Sequence, residues 1–250
     1  MSKELVDEYS FLPKLCIMLQ EIEARENTAM ELAARAAYES IRSGGLLHVF
    51  ATGHSHMIAE EMFFRAGGLV PVNPILNSSL MTQEGALQSM YNERKSGFAK
   101  EILEEANLKK GDTIIISSNS GINNVPVEAA MIARELGLTV IGITSLTASK
   151  SLEARHVGGR KLYECCDIVI DNHVPMGDGI LTIPENGLVT GGASSFSSFF
   201  IAQRIVLKIE NCFLAEDKLP PVYMSANIPN GTEHNATLIA EYQDKIKFLY

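Results

Sequence analysis

The stretch Ile114–Gly137, "IIISSNSGINNVPVEAAMIARELG", decides how this chain folds. Three isoleucines run into Ser117-Ser118-Asn119-Ser120-Gly121, and a helical pattern, Val127, Ala130, Met131 and Arg134, follows at once. A continuous apolar run of this length reads as a strand buried on both faces, and the spacing after it reads as a helix. A strand, a turn of small residues and a helix form half of a strand–helix–strand unit. The turn contains hydroxyls, an amide and a glycine but no charged side chain.

Working outward, the pattern recurs. "LLHVFA" from Leu46 is a second apolar strand, "TGHSH" a second small-residue turn, and "MIAEEMFFRAGG" a helix ending in glycines. "LVPVNPIL" reads as a strand whose two prolines place it at a sheet edge. A polar helical region from about Ser79 to Leu108 leads back to "GDTIIIS". "LTVIGIT" follows the central helix, and "CDIVID" closes the series. Apolar strands alternating with helices predict an α/β protein: a three-layer, doubly wound parallel sheet from about Leu46 to Leu214. Ahead of it, Leu12, Leu15, Leu19 and Ile22, then Ala29, Ala33 and Ile41, recur at helical spacing up to Gly44-Gly45. Residues 1–43 are thus a helical N-terminal extension. "ENGLVTGGASS" reads as a loop feeding one long helix to Leu214, and residues 215–250 as a turn-rich loop and a final helix.

Composition narrows the partners. The chain has 250 residues, 46% hydrophobic and 20% charged, enough for a sizeable core. Lys and Arg number 21 against 30 Asp and Glu, a net charge of −9, which argues against nucleic acid and anionic membrane surfaces. No apolar run approaches the ~20 residues of a membrane span. "MSKELVDEYS" lacks the features of a secretory leader, and four cysteines without a CxxC spacing read as reduced thiols, so a cytoplasmic protein is expected.

In open parallel sheets ligands bind beyond the carboxyl ends of the strands. Both small-residue turns lie there, each before a helix whose unpaired N–H groups attract an anion. Neither GxxxxGK[ST] nor GxGxxG is present, so a lone phosphate monoester is expected rather than a polyphosphate or a dinucleotide.

"GHSHMIAEE" and "SSNSGINNVPVEAAMIARELGLTVIGIT" together resemble the sugar isomerase (SIS) domain, whose second loop carries SxSGxT; Asn123 stands where the family usually has threonine. "ARHVGGRKLYECCDIVIDNHVPMGDGIL", "TGGASS" and "SANIPNGTEHNA" extend the resemblance, to an uncharacterised bacterial branch, over nearly the whole chain. Phosphoheptose isomerase and N-acetylmuramic acid 6-phosphate etherase are relatives. The resemblance implies a five-stranded parallel sheet, phosphosugar binding and assembly as homodimers or homotetramers. It assigns Ser55, Ser118, Asn119, Ser120, Gly121 and Asn123 to the sugar phosphate, with Ser194 and Ser195 completing the pocket.

The chemistry is harder to place. The relatives' glutamate ten residues after the first-loop serine falls on Arg65 here. Glu84 resembles a second acidic position of the etherase branch and is the expected base. His234, beside Glu233 near a helix start, is the expected ring-opening acid. His54 and His56 flank the first loop. Asp178, in "MGDGI", either turns toward the ligand or binds its own backbone in an Asx turn. No cofactor or metal is expected. The function expected is a phosphosugar isomerase; the alternatives are a phosphosugar sensor without activity, or an etherase or lyase acting on an amino-sugar phosphate.

Overall fold

A computed structural model describes residues 4–249. Five parallel strands form the sheet: β1 (Leu47–Ala51), β2 (Val72–Ile75), β3 (Thr113–Ser117), β4 (Thr139–Thr144) and β5 (Ile168–Asp171), in the order β2-β1-β3-β4-β5. β1, β2 and β3 are buried along their whole length, as continuous apolar runs require. β2, with Pro74, lies at an edge, where a missing N–H is tolerated.

Strand residues alternate between two cores. Val49 sits in register with Ile115, and Ile115 with Ile141. These face α1 (Phe11–Arg25), α2 (Asn27–Arg42), α3 (Met57–Met62) and α9 (Ser194–Leu214), through Ile22, Met30, Met62 and Ile205. Phe50, Ile116, Ile114 and Val140 face the other way, onto α5 (Phe98–Glu104), α6 (Asn124–Glu135) and α8 (Leu162–Cys165). The N-terminal helices therefore share the core of one outer layer with α9. His48, within β1, is fully buried and satisfied: its Nε2 lies 2.8 Å from Asp112 Oδ2 and its Nδ1 2.9 Å from Asn73 Nδ2.

Two local readings need correction. The first-loop helix stops at Met62 instead of running to the glycines. Phe63 is extended and Phe64 has a positive φ, which lets its ring meet Tyr223 edge-on at 5.2 Å. Tertiary packing of aromatics there outweighs helical propensity. The stretch read as a loop before α9 holds a strand, β7 (Val189–Gly192), which pairs antiparallel with β6 (Gly179–Thr182) just ahead of it in a hairpin. Glycine-rich strands carry little β propensity, yet glycine is required: a Cβ on Gly179 would lie 2.5 Å from the Thr190 backbone nitrogen.

The remaining helices on the path to the site are α4 (Ala86–Asn92) and α7 (Leu146–Ser151). The last helix, α10 (Gly231–Tyr242), contributes Tyr242 to a satellite cluster with Leu46, Val70 and Tyr223. Leu46 and Val70 precede β1 and β2, so α10 sits at the amino ends of the strands.

Candidate functional site

The order β2-β1-β3 makes the junction of β1 and β3 the point where the sheet reverses its winding, and a crevice opens there. An open cleft of about 430 Å³ lies beyond the carboxyl ends of these strands. The first loop contributes Thr52 to Ser55, the second Ser118, Asn119 and Ser120. α7 and the residues after it supply Ala148 and Leu152, and Met176 to Asp178 close the remaining side. Glu93 and Asn123 complete the lining.

The hydroxyls of Ser55 and Ser120 make no hydrogen bond to any described residue, and both residues are partly exposed on the cleft. Ser118 Oγ accepts the Gly121 N–H at 3.3 Å, which leaves its own O–H free to donate. Asn119 also lines the cleft, with its Oδ1 accepting from Asn172 Nδ2 at 2.9 Å. These groups form a neutral, donor-rich cradle suited to a small oxyanion.

Three residues grouped with the cradle in sequence sit differently. Gly121 is buried, and its role is the turn itself: φ is +61°, and a Cβ would meet Thr144 Oγ1 at 2.8 Å and Ser149 Oγ at 3.2 Å. Asn123 precedes α6 but does not cap it. Its Nδ2 donates to Glu93 Oε1 at 2.8 Å, and its Oδ1 accepts from Arg155 Nη1 at 3.1 Å. His56 is buried beneath the first loop, its Nδ1 against the Gly53 carbonyl, while His54 is exposed and lines the cleft.

Neither expected catalytic residue reaches the cleft within the chain. Glu84 ends a short helical turn and is exposed to solvent. His234 is exposed on α10, 2.9 Å from the Val222 carbonyl, at the opposite end of the sheet. Asp178 lines the cleft, but its carboxylate holds the start of α9: Oδ1 accepts the Ser194 N–H at 2.8 Å and Oδ2 the Ser194 hydroxyl at 3.1 Å. Ser195, with His54 and Ser55, lines a small adjoining recess of about 10 Å³, room for about one water.

The carboxylate that does face the cleft is Glu93, which the sequence reading missed. α4 is docked by Ser89 Oγ onto the Leu80 carbonyl at 2.7 Å and by Asn92 Nδ2 onto the Ser79 carbonyl at 2.8 Å, which aims the next residue inward. Thr52 Oγ1 donates to Glu93 Oε2 at 2.8 Å, opposite the Asn123 bond. Burial pushes the Glu93 carboxyl above the ordinary range; the Thr52 hydroxyl and the Arg94 and Arg155 charges oppose this without cancelling it. No group of three or more His, Cys, Asp or Glu side chains placed to hold a metal occurs among the described residues.

Fold and site thus define an open α/β protein with uncharged hydrogen-bond donors and a carboxylate of raised pKa in a cleft at its switch point. The sequence pattern of the SIS domain matches residues 10–145, and the chain belongs to the SIS domain family. A UPF0309 protein of Listeria innocua is 39% identical over 93% of this chain and 94% of its own. Another, from Caldanaerobacter subterraneus subsp. tengcongensis, is 41% identical over 92% and 96%. Among solved structures, a phosphoheptose isomerase from Francisella tularensis superposes with a TM-score of 0.53 at 15% identity, covering 81% of this chain and 96% of its own. The sugar isomerase domain of an RpiR transcription factor from Sphaerobacter thermophilus gives 0.51 at 13% identity, covering 94% and 97%. At such identities these two share the fold alone.

Proposed function

We propose that the protein binds a sugar monophosphate in this cleft and isomerises it between aldose and ketose forms, with Glu93 as the base. The observation that carries the reading is the half-buried Glu93 carboxylate, fixed by Thr52 and Asn123 beside a set of uncharged donors. Ser55, Ser118, Asn119 and Ser120 hold the phosphate. Glu93 takes the proton from the carbon next to the carbonyl and returns it to the former carbonyl carbon, while the hydroxyl proton of the first carbon passes to the carbonyl oxygen through the enediol, so no proton is gained or lost overall. Desolvation that raises the carboxyl pKa also makes it a stronger base when ionised, which suits abstraction of a weakly acidic carbon-bound proton. His54 is the imidazole on the cleft wall and the candidate for opening the sugar ring.

This replaces Glu84 and His234 in those roles for a single chain. The same reading includes a cytoplasmic setting and assembly as a homodimer or homotetramer. The deciding experiment follows exchange of the C2 proton for deuterium with a panel of hexose, amino-sugar and heptose phosphates. Exchange that disappears in Glu93→Gln supports the isomerase. Tight binding without exchange across the panel leaves a phosphosugar sensor.

A further inference from the structure

Asn119 lines the cleft, yet its side chain ends in a carboxamide that presents either two donors or an acceptor, depending on which way it faces. An oxyanion is attracted by the first and repelled by the second. The surrounding hydrogen bonds decide the matter, and they begin outside the cleft at Asn172, just past β5 and only 1% exposed.

The backbone N–H of Val174 points at the Asn172 side chain and is bonded to it at 3.1 Å. A backbone N–H only donates, so the Asn172 oxygen faces it. The Asn172 nitrogen is then the atom that faces Asn119, at 2.9 Å, and that nitrogen also only donates. Asn119 answers with Oδ1, and its NH2 group is left for the cleft. The Asn119 backbone is fixed independently: its carbonyl accepts the Ser145 N–H at 2.9 Å and the Thr144 hydroxyl at 3.2 Å. Asn172 itself is anchored by its own N–H on the Thr144 carbonyl at 3.0 Å.

We infer that Asn172 is a positioning residue that sets the polarity of the phosphate cradle, holding the Asn119 carboxamide with its donor edge toward the ligand. The inference rests on the phosphosugar reading of the cleft. It explains how a cradle without Lys or Arg in its two loops favours an anion: the orientation of a neutral dipole does what a charge would otherwise do.

The test is a double-mutant cycle read by calorimetry with inorganic phosphate and hexose 6-phosphates, at about pH 8, where an introduced carboxyl is ionised. Asn172→Asp keeps the shape but turns the donor into an acceptor, so Asn119 swings to donate to it and its oxygen faces the ligand. Phosphate affinity is expected to fall about tenfold or more, as for loss of a hydrogen bond to a charged group. In an Asn119→Ala background the same change is expected to cost less than about twofold, because there is no amide left to turn. An equal loss in both backgrounds would mean a charge or folding effect and would overturn the inference while leaving the phosphosugar reading intact. A wild-type protein that binds none of these ligands overturns both. If Asn172→Asp does not fold, proton–nitrogen spectra of the wild type decide: the Asn119 side-chain NH2 signals, identified by their loss in Asn119→Ala, must shift on adding phosphate. Phosphate binding that leaves them unmoved overturns the inference.

Discussion

Glu93 holds its proton more tightly in the folded chain than it would unfolded, because burial penalises its charge. The folded state therefore binds more protons across the window from the ordinary carboxylate pKa, 4.5, up to the raised folded value. In that window stability falls as pH rises, and above it the loss is complete and constant. Glu93→Gln has nothing to titrate. It still accepts from Asn123 and can donate to Thr52, so its melting temperature should gain on the wild type as pH climbs through the window, then hold a fixed lead. A flat difference would show that Glu93 is not desolvated. On the proposed isomerase reading, the same substitution should lower kcat by about 10²- to 10⁴-fold, the usual contribution of a general base. In the wild type, kcat/KM should rise with pH on a limb lying above the ordinary carboxylate range. At Ser120, whose hydroxyl is otherwise uncommitted, replacement by alanine should weaken phosphosugar binding about tenfold or more without changing the melting temperature. Unchanged affinity by calorimetry would remove Ser120 from the cradle.

Elements explain why some residues were legible and others not. The two turns were readable because an apolar strand running into small polar residues is a local signal. Glu93 was not, because nothing in "YNERKSG" separates a cleft carboxylate from a solvated helix end. What directs it inward is the docking of α4 by Ser89 and Asn92 on the Leu80 and Ser79 carbonyls, contacts 9 and 13 residues away in sequence. Glu84 ends the short helical turn that precedes α4, and Glu93 follows the last turn of α4, so the two carboxylates flank one helix and only the second lines the cleft. The β6–β7 hairpin escaped because its glycines mask strand propensity while making its close pairing feasible. Gly121 permits a sharper test. A side chain there must adopt a positive φ and displace Thr144 Oγ1, so Gly121→Ala should cost about 1–3 kcal/mol and lower the melting temperature by several degrees. Removing the carboxylate that holds the start of α9, with Asp178→Ala, should cost about 0.5–2 kcal/mol in a denaturant titration.

At the scale of the whole molecule, the parallel α/β architecture was legible from strand–helix alternation, and strand burial shows why: both faces of the sheet are covered. The placement of the C-terminal segment was not, since periodicity identifies a helix without saying which end of the sheet receives it. His234 is a case in point, bonded to the Val222 carbonyl far from the cleft. The N-terminal segment exposes large apolar side chains: Tyr9, just before α1, is 85% exposed, and within α1 Leu12 is 66% and Ile17 63% exposed. A homodimer is expected by light scattering at micromolar concentration, and Leu12→Glu should shift the mass toward the monomer if this surface mediates pairing. A monomeric wild type would remove assembly from the functional reading.

The separation of α10 from the two serine loops has a practical corollary. A fluorophore on the solvent side of α10 would sense the loosening of the Leu46, Val70 and Tyr242 cluster while staying remote from the ligand. One attached near His54 would sense occupancy. Titrating phosphate against both in one sample would separate a variant that has lost its grip on the ligand from one that has merely begun to melt.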